Sequence, residues 1–113
     1  MILRVWHGWA AGAQAAAYEE LLNTTIAPGI LRRGIPGLRE LDVLRGASDV
    51  DETEFVTLMV FDDWAAVREF AGDDLTGSVV PPAARALLSR YDEHAQHFEL
   101  VHRHRADDSA RCA

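Results

Sequence analysis

Lysine is absent from this chain. All 11 basic side chains are arginine, so chemistry that needs a lysine amine, such as a Schiff base or a phosphate-loop lysine, is excluded. Cysteine is nearly absent. The single Cys112 cannot close an internal disulfide, and no Cys-x-x-Cys pair exists for a metal or a redox couple. A lone thiol suits a reducing compartment, so a cytoplasmic location is expected. Long apolar runs are missing as well. The longest charge-poor stretch, residues 5–18, is interrupted by His7, Gly8, Gly12 and Gln14, and it falls short of the roughly 20 apolar residues of a membrane helix. No sustained apolar segment precedes His7, so no secretion signal is expected. Positive charge is in deficit: 18 acidic residues leave a net charge of −7. That balance argues against a nucleic-acid partner, which needs a basic face, and against an anionic membrane surface.

What is present is an ordinary globular composition, 49% apolar and 26% charged over 113 residues, enough for one domain. That domain is expected over residues 1–103. A polar tail of small residues, 104–113, is expected to be disordered, leaving Cys112 a free thiol.

Alternation over residues 2–9 predicts a strand, with Leu3, Val5, His7 and Trp9 on one face and Ile2, Arg4, Trp6 and Gly8 on the other. After Gly12 a helix follows, with Tyr18, Leu21, Leu22 and Thr25 on one stripe. Pro28 is expected to end or kink it near Ala27, and a short extension over 29–33 stops at Gly34. Residues 38–45 and 54–61 predict the second and third strands, joined by a polar link over 46–51. Asp62 or Asp63 caps a second helix that buries Val67 and Phe70 and ends at Gly72. A loop over 73–80 leads to Pro81-Pro82, which opens a third helix with Ala84, Leu87, Leu88 and Tyr91 inward. The last strand is expected over 94–102.

The order β-α-β-β-α-β, with an extra helix before the last strand, is the ferredoxin-like α+β pattern. The third strand is apolar on both faces, and helices cover only one of them. The face bearing Phe55, Met59 and Phe61 is expected to need another cover. Three large side chains left wet would forgo several kcal/mol, at about 25 cal/mol per Å². A homodimer with facing sheets, enclosing a pocket in each subunit, is therefore expected.

These residues also resemble a known family. The carriers of the resemblance are Ala27-Pro28-Gly29, Gly34-Ile35-Pro36-Gly37, Glu54-Phe55-Val56-Thr57, Phe61-Asp62-Asp63, the run from Ala66 to Gly72, and His97-Phe98-Glu99. Over residues 2–102 the chain is similar to the antibiotic-biosynthesis monooxygenase-like proteins. The resemblance implies a dimeric α+β barrel. For the quinone-forming members it implies oxidation of polycyclic phenols by dioxygen without a cofactor. Those members carry an Asn on the third strand and a Trp four residues later. The matching positions here hold Thr57 and Phe61, a departure at both. Haem-degrading relatives place a ligating His in or near the second helix, and no His lies between residues 61 and 86. No cofactor is expected.

His97 is the candidate catalytic base, because a neutral imidazole in an apolar pocket can take a phenol or enol proton near neutral pH. The bland alternative is a histidine bonded to backbone or fixing a dimer edge. Arg4 and Trp6 share a face and are candidates to hold an anionic oxygen and stack on a flat ring. Their alternatives are an ion pair of Arg4 with Asp42 or Glu40, and a Trp6 that is simply core. Phe55, Thr57, Met59 and Phe61 complete the expected substrate-contacting set. Tyr18 and Tyr91 read as core aromatics. His94 and His97 fall on opposite sides of a strand and cannot chelate one ion, and no metal site is expected. The function expected is a small cofactor-independent monooxygenase acting on an aromatic or polyketide-like molecule. The competing expectations are a non-catalytic ligand-binding or stress-related homodimer, and a cyclase or isomerase using the same histidine.

Overall fold

The computed structural model describes residues 1–46 and 51–106. Most of the expected link over 46–51, and Cys112 with residues 107–113, lie outside the described residues.

The alternation at the N-terminus forms β1, Ile2–Ala11, whose even-numbered side chains are buried and odd-numbered ones half-buried. It pairs antiparallel with β3, Glu52–Phe61, from Ile2 opposite Phe61 to Ala11 opposite Glu52. On the far side of β3 lies β2, Leu38–Arg45. The outer edge of β1 is taken by two short strands, β4 (Leu88–Tyr91) opposite Gly8–Ala10, and β5 (Gln96–Glu99) opposite Ile2–Val5. The antiparallel sheet thus runs β2-β3-β1, with β4 and β5 sharing the last place. With its helices this is the ferredoxin-like α+β arrangement expected from the sequence.

The last quarter of the chain corrects the expectation in detail. The third helix is α4, Pro82–Leu87, and it stops before Leu88 and Tyr91, which belong to β4. The last strand is interrupted because residues 93–95 turn to another partner. Ser78 N–H donates to Glu93 O at 2.9 Å, Ala95 N–H donates to Thr76 O at 2.7 Å, and Gly77 bridges to His94. Tyr91 and Arg90 stay with β1, where the Arg90 guanidinium lies 3.9 Å over the Trp9 ring.

The first helical segment runs on through Pro28. It comprises α1 (Ala15–Leu21), a wide turn over Leu22–Ile26 closed by i→i+5 bonding, and α2 (Ala27–Arg32). Ala27 N–H donates to Leu22 O. The wide turn sits just ahead of Pro28, where the chain lacks the N–H an ordinary α-turn would use. It also rotates the buried stripe: Tyr18 and Leu22 are buried, whereas Thr25, expected on that stripe, is exposed. The next helix, α3 (Trp64–Ala71), begins as expected. Asp63 caps it by accepting from Ala66 N–H at 3.0 Å, and Gly72 ends it at φ 82°.

All helices lie on one side of the sheet. Beneath α1 and its continuation, Trp6, Ala10, Tyr18, Leu22 and Phe55 pack together. Beneath α3, Ile2, Met59, Phe61, Val67 and Phe70 do the same. This corrects the expectation for Phe55, Met59 and Phe61, which are covered by the chain's own helices. The uncovered face is the opposite one, with half-buried Leu3 and Val5 of β1 beside Val56 and Leu58 of β3. Leu44 and Phe98, 47% and 53% exposed, extend it to both edges. Among the described residues no helix is long and apolar enough to cross a membrane.

Gly8 serves the core beneath β4. A Cβ there would lie 2.8 Å from the Trp6 ring, so the position must be empty for the indole to lie along the strand. Phe61 is fully buried. Phe61→Ala is expected to destabilise the protein by about 3–5 kcal/mol through lost transfer energy and a residual cavity. Urea unfolding checks this, with an unchanged slope and a lowered midpoint.

Candidate functional site

Between the sheet and the first helical segment lies a cavity of about 50 Å³, more than the roughly 10–15 Å³ one water requires. Arg4 and Trp6 of β1, Thr57 and Met59 of β3 and Leu41 of β2 form its floor. Its roof is Tyr18, Leu22, Ile26 and Ile30, and its end wall is Val79, Pro81 and Ala84. Four of the expected substrate-contacting residues, Arg4, Trp6, Thr57 and Met59, thus share one wall. Phe55 and Phe61 do not reach it. Phe55 stands edge-on to Tyr18 at 5.1 Å, and Phe61 packs against Phe70.

The roof residues were not anticipated as site residues, although the sequence carries a signal for them. Tyr18, Leu22, Ile26 and Ile30 are spaced by four. In an ideal α-helix that spacing drifts by about 40° per step. The wide turn over Leu22–Ile26 underwinds the helix and keeps the four in line over the cavity.

Arg4 is 3% exposed, and among the described residues no carboxylate bonds it. The alternative pairing with Glu40 or Asp42 does not occur; both are exposed. Instead its Nη1 donates to Leu75 O at 2.6 Å and its Nη2 to Gly77 O at 2.8 Å, while the guanidinium lies 5.2 Å over the Phe70 ring. Burial lowers the Arg4 pKa from its ordinary value, and the charge of Asp74 acts the other way. The group stays a cation.

His97 stands opposite Arg4 on the neighbouring strand, with Arg4 Nη1 3.1 Å from its Nε2 and the Trp64 ring 5.2 Å away. An arginine only donates, so Nε2 holds the lone pair and the proton sits on Nδ1. Nδ1 is buried and has no hydrogen-bond partner among the described residues. Burial first, and the Arg4 charge second, lower the His97 pKa, so the imidazole is neutral at pH 7. It stands behind Arg4, outside the cavity wall.

Trp6 is fixed by its indole N–H, which donates to Ser78 Oγ and Asp92 O, each at 2.9 Å. Ser78 Oγ–H in turn donates to Asp92 O. Burial raises the Tyr18 pKa to about 12, so its phenol is a neutral donor at any working pH. His7 and Trp9 lie on the open face, where His7 Nδ1 sits 2.8 Å from Glu54 Oε2. Among the described residues there is no group of three side chains suited to a metal ion.

No family model matches the chain, and no curated protein matches it. Among solved structures it is similar to a Bacillus cereus protein described as a candidate antibiotic biosynthesis monooxygenase. That likeness has a TM-score of 0.63 at 13% identity, covering 93% of this chain and 97% of that one.

A depressed His97 pKa means that the unfolded chain, with its histidine near 6.5, binds this proton more readily than the folded one. The contribution of His97 to stability is therefore full above pH 6.5 and falls as the pH drops below it. The melting temperature of the wild type is expected to decline between pH 7 and pH 5 more steeply than that of His97→Gln, as followed by circular dichroism. At this identity the likeness to the Bacillus cereus protein establishes the fold, and the chain has the α+β fold of an antibiotic biosynthesis monooxygenase-like protein.

Proposed function

We propose that the protein is a small cofactor-independent enzyme of the monooxygenase type, taking an aromatic or polyketide-like molecule into the cavity between sheet and helices. The observation that carries this reading is the cavity wall, where the buried Arg4 cation stands among Trp6, Tyr18 and Met59. Flat apolar faces suit a ring, and a desolvated guanidinium favours an oxygen that becomes negative. Thr57 offers a hydroxyl on the same wall.

In this reading Arg4 stabilises the enolate or phenolate form of the substrate. As Arg4 Nη1 turns its N–H toward that oxygen, the Nε2 lone pair of His97 behind it becomes free, and it accepts the proton through one bridging water. The carbanion gives its electrons to dioxygen. One oxygen atom stays on carbon as a carbonyl, and the other leaves as water with the two hydrogens of the original CH₂ group. The substrate is the only reductant. Oxygen-electrode traces with anthrones and hydroxylated naphthalenes are expected to show uptake, and His97→Ala is expected to lower kcat by about 10²–10⁴-fold. Absence of uptake across a panel that binds would overturn the monooxygenase reading.

A second reading is favoured by one contact, the Arg4 hydrogen bond that occupies His97 Nε2. It makes the protein a non-catalytic binder of the same ligand class; with the lone pair freed, the same histidine would serve a cyclase or isomerase in which the proton moves without dioxygen.

The proposal includes a homodimer joined through the open sheet face, and a cytoplasmic location without a nucleic-acid partner, in keeping with a net charge of −7. Val5, Val56 and Leu58 lie at the middle of that face. The rim is polar, with Glu52 accepting from Arg90 at 3.2 Å and Glu54 beside His7. Two sheets stack about 10 Å apart, which would bring Phe98 and Leu44 out of water. Leu58→Glu is expected to turn a dimer into a monomer in sedimentation velocity, and a monomeric wild type would overturn the dimer.

A further inference from the structure

The enclosed cavity is too small to hold an aromatic ligand by itself. A dry cavity that accepts benzene has a volume of about 150 Å³, and this one has about 50 Å³. It does not end there. Ile26, Ile30, Val79 and Pro81 also line an outer groove of about 330 Å³ on the far side of the same helix. The rest of that groove is formed by Leu21, Thr25, Gly29, Arg33 and Ala83. The four shared side chains are therefore a gate between two compartments. Together the compartments fall within the roughly 300–1,000 Å³ of small-molecule sites.

Gly29 is the second observation. It sits inside α2, where glycine weakens a helix relative to any ordinary residue. Its φ is not positive, so the backbone does not require it. A Cβ added there would meet nothing within 4 Å, so packing does not require it either. What a side chain at residue 29 would do is occupy the groove.

Resting on the reading of the cavity as a ligand site, we infer that the ligand is elongated. An oxygen-bearing head reaches past the Ile26–Val79 gate toward Arg4, and an apolar arm lies outside in the groove kept clear by Gly29. Groove and cavity share Ile26, Ile30, Val79 and Pro81 as a common wall, and apart from Thr25 and Arg33 the groove offers only apolar side chains. Arg33 donates from Nη2 to Glu69 O at 2.8 Å and is the one charged side chain among the groove's lining residues. The arm that matches the rest of the lining is a hydrocarbon chain or a further fused ring.

The test compares two probes by isothermal titration: 2-naphthol, and 2-naphthol carrying a hexyl chain on its far ring. The wild type is expected to bind the hexyl probe at least about 10-fold more tightly. In Gly29→Leu that advantage is expected to vanish while the affinity for 2-naphthol stays the same. The variant is also expected to melt no lower than the wild type, since leucine favours the helix and meets open space. Equal binding of both probes by the wild type would overturn the inference and leave the cavity reading standing. An unchanged hexyl advantage in Gly29→Leu would overturn it in the same way. A melting temperature lowered by Gly29→Leu would show that packing holds the glycine there, and would overturn it too. Binding of neither probe would overturn both readings.

Discussion

Burying the Arg4 guanidinium under the helices obliges the chain to bring hydrogen-bond acceptors to it. A charge removed from water costs several kcal/mol unless it is compensated. No carboxylate among the described residues bonds it, although the charge of Asp74 acts in its favour. The compensation comes from the carbonyls of Leu75 and Gly77, the lone pair of His97 and the face of Phe70. Each partner lies far from Arg4 in sequence, so this one side chain ties the first strand to α3, to the loop after it and to β5.

The site is a consequence of that tie. With Leu75 and Gly77 held against the sheet, and Ser78 held by the Trp6 indole and Asp92, the following residues Val79 and Pro81 are delivered to the cavity as its end wall. The same loop draws residues 93–95 away from β1, and this is why the last strand is split in two. A cation with a neutral imidazole behind it and aromatic rings around it results, in a mostly buried cavity. Such a place favours the anionic form of a bound phenol or enol.

Much of the fold was legible because it rests on local chemistry. Strict alternation in β1, the Asp63 cap and the Gly72 stop each act within a few residues. What was illegible acts at a distance. Alternation separates the faces of a strand without saying which one the helices will take. Phe55, Met59 and Phe61 were therefore assigned to the open face, although Tyr18, Leu22, Val67 and Phe70 in fact cover them. The helical periodicity of Ala84, Leu87, Leu88 and Tyr91 was real. It lost at Leu88 to the unpaired edge of β1 at Gly8–Ala10, a long-range demand that a sequence window does not contain.

The candidate site divides in the same way. Arg4, Trp6, Thr57 and Met59 fall on one strand face by period two, and they do line one cavity. His97 stands opposite Arg4, and its position behind Arg4 depends on a cross-strand register no motif encodes. The roof was missed because Tyr18, Leu22, Ile26 and Ile30 look like ordinary core until the wide turn ahead of Pro28 brings them into line. The proposed function requires that ligand enter beneath the helices and not onto the open sheet. The two methionines allow a direct reading, because Met59 lines the cavity while Met1 is 46% exposed at the chain start. Titration of methyl-¹³C-methionine protein with 2-naphthol, followed by NMR, should move the Met59 methyl signal and leave that of Met1 in place. A Met59 signal that stays fixed while the ligand is demonstrably bound would contradict the account.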